Sequence, residues 1–186
     1  MPFEFEKTPI EGLYVIHPRV FRDDRGWFLE TFKISDFKNA GITEDFVQDN
    51  HSFSSRGVLR GIHFQKAPFS QGKLVRTIDG CVWDVAVDLR KDSNTFGKAY
   101  GVKLDSKNGT MLYIPPSFGH GFLVLSDTVH FLYKCTKEYH PNVDCGIRWN
   151  DPDLNIPWPI VDGMKLIISN KDCQQPLLKE INKDDL

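Results

Sequence analysis

Between about residue 13 and residue 149 the chain is a regular succession of short strand-like runs, and no other feature limits its possible folds as much. The runs fall at residues 13–16, 27–32, 74–78, 82–89, 99–104, 111–114, 121–125 and 128–133. Turn chemistry breaks them apart: Asp24-Arg25-Gly26, Asp79-Gly80, Lys107-Asn108-Gly109 and Pro115-Pro116. Short strands at such spacing predict an antiparallel sandwich or barrel. Residues 82–89 alternate most clearly, with Trp83, Val85, Val87 and Leu89 on one face and Asp84, Ala86 and Asp88 on the other. If that second face points inward its carboxylates need partners; if outward, water satisfies them. Helix is scarce: a short one is predicted over residues 35–40, capped by Ser35 and ended by Gly41, and another near residues 176–181. Two-sheet barrels of this kind close as jelly rolls, whose mouths hold ligands.

A chain of 186 residues with 40% hydrophobic content can bury one substantial core, and a single domain is expected. No window approaches a transmembrane run, and the first residues lack a signal peptide's apolar core, so a cytoplasmic protein is expected. A formal charge of −2 argues against nucleic acid as a partner, though local Arg and Lys clusters suit a small phosphorylated ligand. Cys81, Cys135, Cys145 and Cys173 form no CxxC pair and read as free thiols.

The densest chemistry lies in residues 57–73, where Arg60, His63 and Lys73 interrupt an apolar strand pattern. A turn-rich stretch between His63 and Lys73 suits a hairpin or strand-to-strand return that brings both to one cavity. There His63 can serve as general base and Lys73 can stabilise an oxyanion. The competing reading is a core histidine with a surface lysine. Strict alternation places Arg60 on the face opposite His63, unless Gly61 marks a bulge. His120, between Gly119 and Gly121, reads either as structural or as catalytic, with Asp84 as its candidate partner.

Other polar residues carry little weight singly. Tyr133 reads as a core aromatic with its hydroxyl at a cavity edge. Asp172 reads as a solvated carboxylate in a polar turn, and residues 48–50 read as a turn. The Trp149 and Trp158 segments are expected to anchor a C-terminal extension to the barrel. A metal-binding cupin would place a His-x-His pair at His63, but Gln65 stands there, and the remaining histidines, His17, His51, His130 and His140, are isolated in sequence. No metal is expected.

In their order, the motifs resemble those of the dTDP-4-dehydrorhamnose 3,5-epimerase family, the jelly-roll sugar-nucleotide epimerases of rhamnose biosynthesis. The matching stretches are residues 24–30, 46–50, 57–65, 71–75, 84–90, 114–122, 133–134, 149–152 and 171–172, so the likeness runs from about residue 8 to residue 178. The resemblance implies an all-β, cupin-like double-stranded β-helix with a few short helices over residues 1–186. It further implies a homodimer exchanging an N-terminal strand within residues 1–12, and residues 150–186 as a C-terminal extension.

The activity implied is a cofactor-free inversion of carbons 3 and 5 of dTDP-4-dehydro-6-deoxy-D-glucose, giving dTDP-4-dehydro-beta-L-rhamnose. By position, His63 matches the family's base, Asp172 the carboxylate that orients it, Lys73 the cation beside the enolate and Tyr133 the acid. Arg25, Glu30, Gln48, Asp49, Asn50, Arg60, His120, Asp144 and Lys171 match residues that hold the nucleotide sugar; Asp144 replaces a commoner glutamate. The alternatives are a single-carbon epimerase of a related deoxysugar, a non-catalytic sugar-nucleotide binding module, and a metal-dependent cupin oxygenase whose ligands this chain lacks.

Overall fold

The computed structural model describes residues 2–186; Met1, the first residue of the expected exchanged strand, lies outside the described residues. Two antiparallel sheets face each other. The first runs in the order β1 (Phe3–Lys7), β2 (Tyr14–Pro18), β10 (Met111–Ile114), β7 (Lys73–Asp79), β12 (Thr128–Cys135) and β5 (Gln48–Ser55). The second runs β13 (Asp144–Gly146), β6 (Val58–Gln65), β11 (Phe118–Val124), β8 (Cys81–Asp88) and β9 (Ala99–Asp105), with β14 (Ile167–Ile168) parallel to β6. A separate hairpin joins β3 (Phe21–Asp23) to β4 (Gly26–Phe28). Apart from β1–β2 and β8–β9, neighbours in each sheet come from distant parts of the chain, as a jelly roll requires.

Period-two patterning explains how the layers form. In β8, Val82 and Ala86 join the core between the sheets, while Val85 and Val87 join a second cluster on the outer face. Both faces are therefore buried, and Asp84 and Asp88 are fully enclosed. The inner core includes Val75, Ile114, Phe118, Phe122, Val129 and Phe131, with Phe122 and Phe131 stacked at 4.4 Å. The outer face of the second sheet lies under the C-terminal segment, through Leu154, Ile156, Trp158, Leu178 and Ile181. Trp158 Nε1–H donates to the Trp149 carbonyl at 2.8 Å, and the Asp151 carboxylate accepts the Leu178 N–H at 2.6 Å, which fastens this segment at two points.

The outer face of the first sheet is covered only in part. Helix α1 (Ile34–Asn39) lays Phe37 over Phe3, Ile16, Leu74, Met111 and Tyr113. Its N-cap is Lys33, without a side-chain cap bond, so Ser35 does not cap it; packing of Phe37 against Phe3, Phe5 and Phe32 holds the helix instead. Gly41, at φ +92°, ends it in the left-handed conformation expected. The strand predicted over 27–32 shortens to β4, and residues 48–50 open β5 rather than forming a turn. Their turn-prone side chains yield to eight consecutive register pairs with β12.

Candidate active site

Gly61 determines the site's geometry. Against β11, His63 pairs with His120 and Arg60 with Phe122, so β6 takes three steps where β11 takes two. The extra residue is a bulge, and it turns Arg60 onto the same face as His63. Only glycine fits here: φ is +111°, and a Cβ would meet the Gly121 Cα at 2.5 Å and the His120 carbonyl oxygen at 2.6 Å. Two strands thus run close enough to set two imidazoles side by side on the inner wall.

Each imidazole has a carboxylate. His63 Nε2 lies 2.6 Å from Asp172 Oδ1, across 109 residues of sequence. Asp172 is not in a solvated turn: it is 3% exposed, on helix α2 (Asn170–Cys173), where the Ser169 hydroxyl caps its N–H at 3.1 Å. Burial would raise the Asp172 carboxyl, but the hydrogen bond and charge of His63, with help from the Gly61 N–H and Ser169, hold it below the usual range. An ionised carboxylate only accepts, so neutral His63 carries its proton on Nε2 and keeps the lone pair on Nδ1.

His120 Nε2 sits 3.0 and 3.1 Å from the two oxygens of Asp84, so the inward face of β8 does supply the partner sought for its carboxylate. Both are almost sealed from solvent. Burial pushes His120 below the ordinary imidazole value despite Asp84, which keeps it neutral. The other inward carboxylate, Asp88, is tied to Arg90, Ser93 and Thr95; those bonds overcome burial and bring it to about 2.

The first sheet forms the opposite wall. β6 and β7 belong to different sheets, so the link between His63 and Lys73 is a crossing and not a hairpin. Lys73 pairs with Cys135, and Tyr133 with both Val75 and Asn50, which aligns Lys73, Tyr133, Cys135 and Asn50 on the inner face. Burial lowers the Lys73 ammonium, against the pull of Cys135, Asp84 and Asp144. Burial raises the Tyr133 phenol, with Cys135 adding to this and Arg60 opposing it.

A polar rim completes the arrangement. Gln48 Nε2 donates to Asn50 Oδ1 at 3.0 Å, and Gln48 Oε1 accepts the Tyr139 N–H at 2.8 Å. Asp144 Oδ2 accepts from the Tyr139 hydroxyl at 3.1 Å and from Lys171 Nζ at 2.5 Å. Arg60 Nε–H donates to Ser54 at 3.3 Å. The Gln65 amide is occupied in tying loops, donating to the Phe69 and Glu138 carbonyls and accepting the His140 N–H.

Three expected residues stand apart. Asp49 points to the outer face and pairs with Lys134 at 2.8 Å. Arg25, at the tip of the β3–β4 hairpin, pairs with Asp23 at 2.6 Å in full exposure. Glu30 is half-buried and follows that hairpin, whose Trp27 and Leu29 lie over residues 106–109, beyond the end of β10 opposite Lys73. Sequence reasoning missed Cys135 and Tyr139. Cys135 had a signal, since it lies two residues after Tyr133 and so shares its face. The reading of His51 and His130 as isolated is overturned: on adjacent strands, their ring nitrogens stand 2.9 Å apart.

A cavity with a His–Asp base on one wall and a lysine and phenol on the other suits proton transfer at carbon. The profile of the dTDP-4-dehydrorhamnose 3,5-epimerase family matches residues 7–180. The enzyme of that name from Escherichia coli is 53% identical over 176 residues, covering 94% of each chain. The one from Methanothermobacter thermautotrophicus is 51% identical, covering 96% of each. The crystal structure of a Legionella pneumophila dTDP-6-deoxy-D-glucose-3,5-epimerase in complex with dTDP-4-keto-L-rhamnose superposes with a TM-score of 0.95 at 43% identity, covering 99% of this chain and 97% of that one.

Proposed function

This chain belongs to the dTDP-4-dehydrorhamnose 3,5-epimerase family, and from that premise we propose how its own residues carry out the reaction. It is an epimerase that inverts carbons 3 and 5 of dTDP-4-dehydro-6-deoxy-D-glucose. Hydrogens on the two carbons beside a ketone are removable because the charge left behind moves onto the carbonyl oxygen. Inversion requires one group to take the proton and another to return a proton from the far side.

The placement of His63 and Tyr133 on opposite sheets is the observation that carries the role assignment. His63 Nδ1 takes the proton, and the buried Asp172 carboxylate holds Nε2–H and stabilises the imidazolium that forms. Lys73 faces the enolate oxygen, where a donor held in a dry site acts most strongly, while neutral His120, its Nε2–H given to Asp84, lines the wall beside it. Tyr133 returns a proton from the other wall. Its raised phenol keeps its proton at neutral pH, and an enolate carbon is basic enough to take it. The same cavity acts twice, once at each carbon.

Gln48, Asn50, Arg60, Asp144 and Lys171 ring the mouth and hold the nucleotide, the cations against its diphosphate. Asp49 then contributes through its backbone, since its side chain faces away. Arg25 and Glu30 reach a cavity only if a second copy supplies them, which favours a homodimer. The exposed Phe21, Trp27 and Phe28 of that hairpin are the surface such a partner would cover. The β1 strand lies at a sheet edge with β2 as its only strand neighbour, so it is the segment we assign to exchange between copies. Among the described residues no helix is long and apolar enough to cross a membrane, and we place the enzyme in the cytoplasm, as one domain.

NMR of the purified protein with this substrate in deuterated water tests the reading. Deuterium at both carbon 3 and carbon 5 is expected. Label at one carbon alone identifies a single-site epimerase, and binding without exchange overturns the catalytic assignment.

A further inference from the structure

The two amides at the rim of the cavity are held from both ends. The Tyr139 N–H donates to Gln48 Oε1 at 2.8 Å, Gln48 Nε2–H donates to Asn50 Oδ1 at 3.0 Å, and Asn50 Nδ2–H donates to the Cys135 sulfur at 3.5 Å. Strand register makes the last contact possible: Gln48 lies opposite Cys135 and Asn50 opposite Tyr133, so Asn50 and Cys135 are diagonal neighbours on the inner face. A backbone N–H can only donate, so Gln48 must turn its oxygen to Tyr139 and its nitrogen to Asn50. Asn50 must then turn its oxygen to Gln48, which leaves its nitrogen against Cys135. One backbone group thus fixes the polarity of the whole row.

We propose, on the assignment of Asn50 to nucleotide binding, that Cys135 is a positioning residue: its sulfur pins the Asn50 amide so that Asn50 offers the ligand an N–H donor and not its oxygen. A primary amide nitrogen carries two hydrogens. Among the described residues only the Cys135 sulfur accepts one of them, and Asn50 is half-buried, so the second is left for an acceptor oxygen of the ligand. Without Cys135, Gln48 still holds the Asn50 oxygen, but one bond alone leaves the amide free to swing about it.

Cys135 has no exposed surface, so it acts on a ligand only through a neighbour. It has two: Asn50 on β5 and Lys73, its register partner on β7. Burial pushes the Cys135 thiol up against the pull of Lys73 and the Asn50 bond, which keeps the sulfur protonated and uncharged. An uncharged thiol adds no charge to Lys73, whereas its lone pairs still accept from Asn50, as a weak acceptor. The two routes differ in what they move. A residue that places Asn50 alters nucleotide affinity; one that tunes Lys73 alters turnover.

Calorimetric titration with dTDP, and steady-state kinetics on the same proteins, test the role. Cys135→Val, which keeps the bulk and removes the acceptor, should weaken dTDP binding and raise KM about fivefold with kcat unchanged. Cys135→Ala, which removes it without branching, should do the same, and Cys135→Ser, which keeps an acceptor, should restore most of the affinity. Circular dichroism confirms that each variant folds. A double-mutant cycle isolates the contact: in an Asn50→Ala background, Cys135→Val should change dTDP affinity by less than about twofold. The full loss in that background overturns the proposal, as does a serine variant as weak as valine, or wild-type affinity in both Cys135→Val and Cys135→Ala. A fall in kcat at unchanged affinity overturns it too and assigns Cys135 to Lys73. Failure of the wild-type protein itself to bind dTDP overturns the assignment of the rim to the nucleotide, and the proposal falls with it.

Discussion

His63–Asp172 and His120–Asp84 are the same chemical pair set on adjacent strands, one register step across from each other, yet the molecule treats them differently. The His63 ring keeps 33% of its surface open, over a carboxylate that is 4% exposed. The His120 ring keeps 8% and its carboxylate none. An imidazole that must gain and lose a proton needs a free nitrogen at the cavity and a carboxylate to steady the charge. A sealed imidazole held neutral does neither and serves as a fixed donor or spacer. On the proposed mechanism, burial and not the identity of the pair separates the two roles.

The largest effect that would break this comparison is on turnover. His63→Ala is expected to lower kcat by about a thousandfold, a general base being worth roughly 10²–10⁴. Equilibrium binding of dTDP should stay unchanged; a kcat near wild type would remove His63 from the base role. Gly61→Ala comes next, because the added Cβ collides with the backbone of β11 at a positive φ. A loss of about 3 kcal/mol in denaturant unfolding is expected, at the high end for backbone strain. If the variant is as stable as wild type, the bulge is not held by this contact.

Paired substitutions sharpen the contrast. Asp172→Asn should lower kcat by about a hundredfold with a small stability change. Asp84→Asn should do the reverse, costing about 1–3 kcal/mol because it weakens the partner of a fully buried imidazole. Unfolding curves and steady-state rates on both proteins separate the two; equal effects on both readouts would erase the distinction drawn here.

The smallest effect expected is on pH dependence. His120 has a folded pKa below its unfolded value of about 6.5, so the unfolded chain binds the extra proton first. Its contribution is complete above that value and is lost as pH falls towards the folded pKa. Asp172, also lowered, loses its contribution only below the unfolded carboxylate value of about 3.9. Denaturation midpoints at pH 7.5 and 5.5 should therefore drop more in wild type than in His120→Gln. An identical drop in both would assign the slope to other groups.

Much of this was open to a reader of the chain. The alternation in residues 82–89 predicted the two-faced strand, and it placed Asp84 where His120 could reach it. Gly61 was legible as a conditional: with a bulge, Arg60 and His63 share a face, and the bulge is present. Asp172 was not legible from its surroundings, because a carboxylate in a polar stretch looks solvated until a strand 109 residues away presents an imidazole to it. Residues 48–50 misled for a related reason. Gln, Asp and Asn favour turns locally, and only pairing with β12 makes them strand, two facing the cavity and one facing out. His51 and His130 looked isolated because strand register, not sequence distance, decides which side chains meet.

Local periodicity and turn residues thus determined the all-β architecture, while the ordered motifs pointed to the family and to the candidate reacting groups. Those signals depend on short-range sterics and on which face of a strand must be apolar, both readable over a few residues. Tertiary structure alone decided which histidine stays open, which carboxylate is buried, and which wall each group stands on. Those outcomes arise from contacts between segments far apart in the chain, and burial acts on charge only once the segments have met.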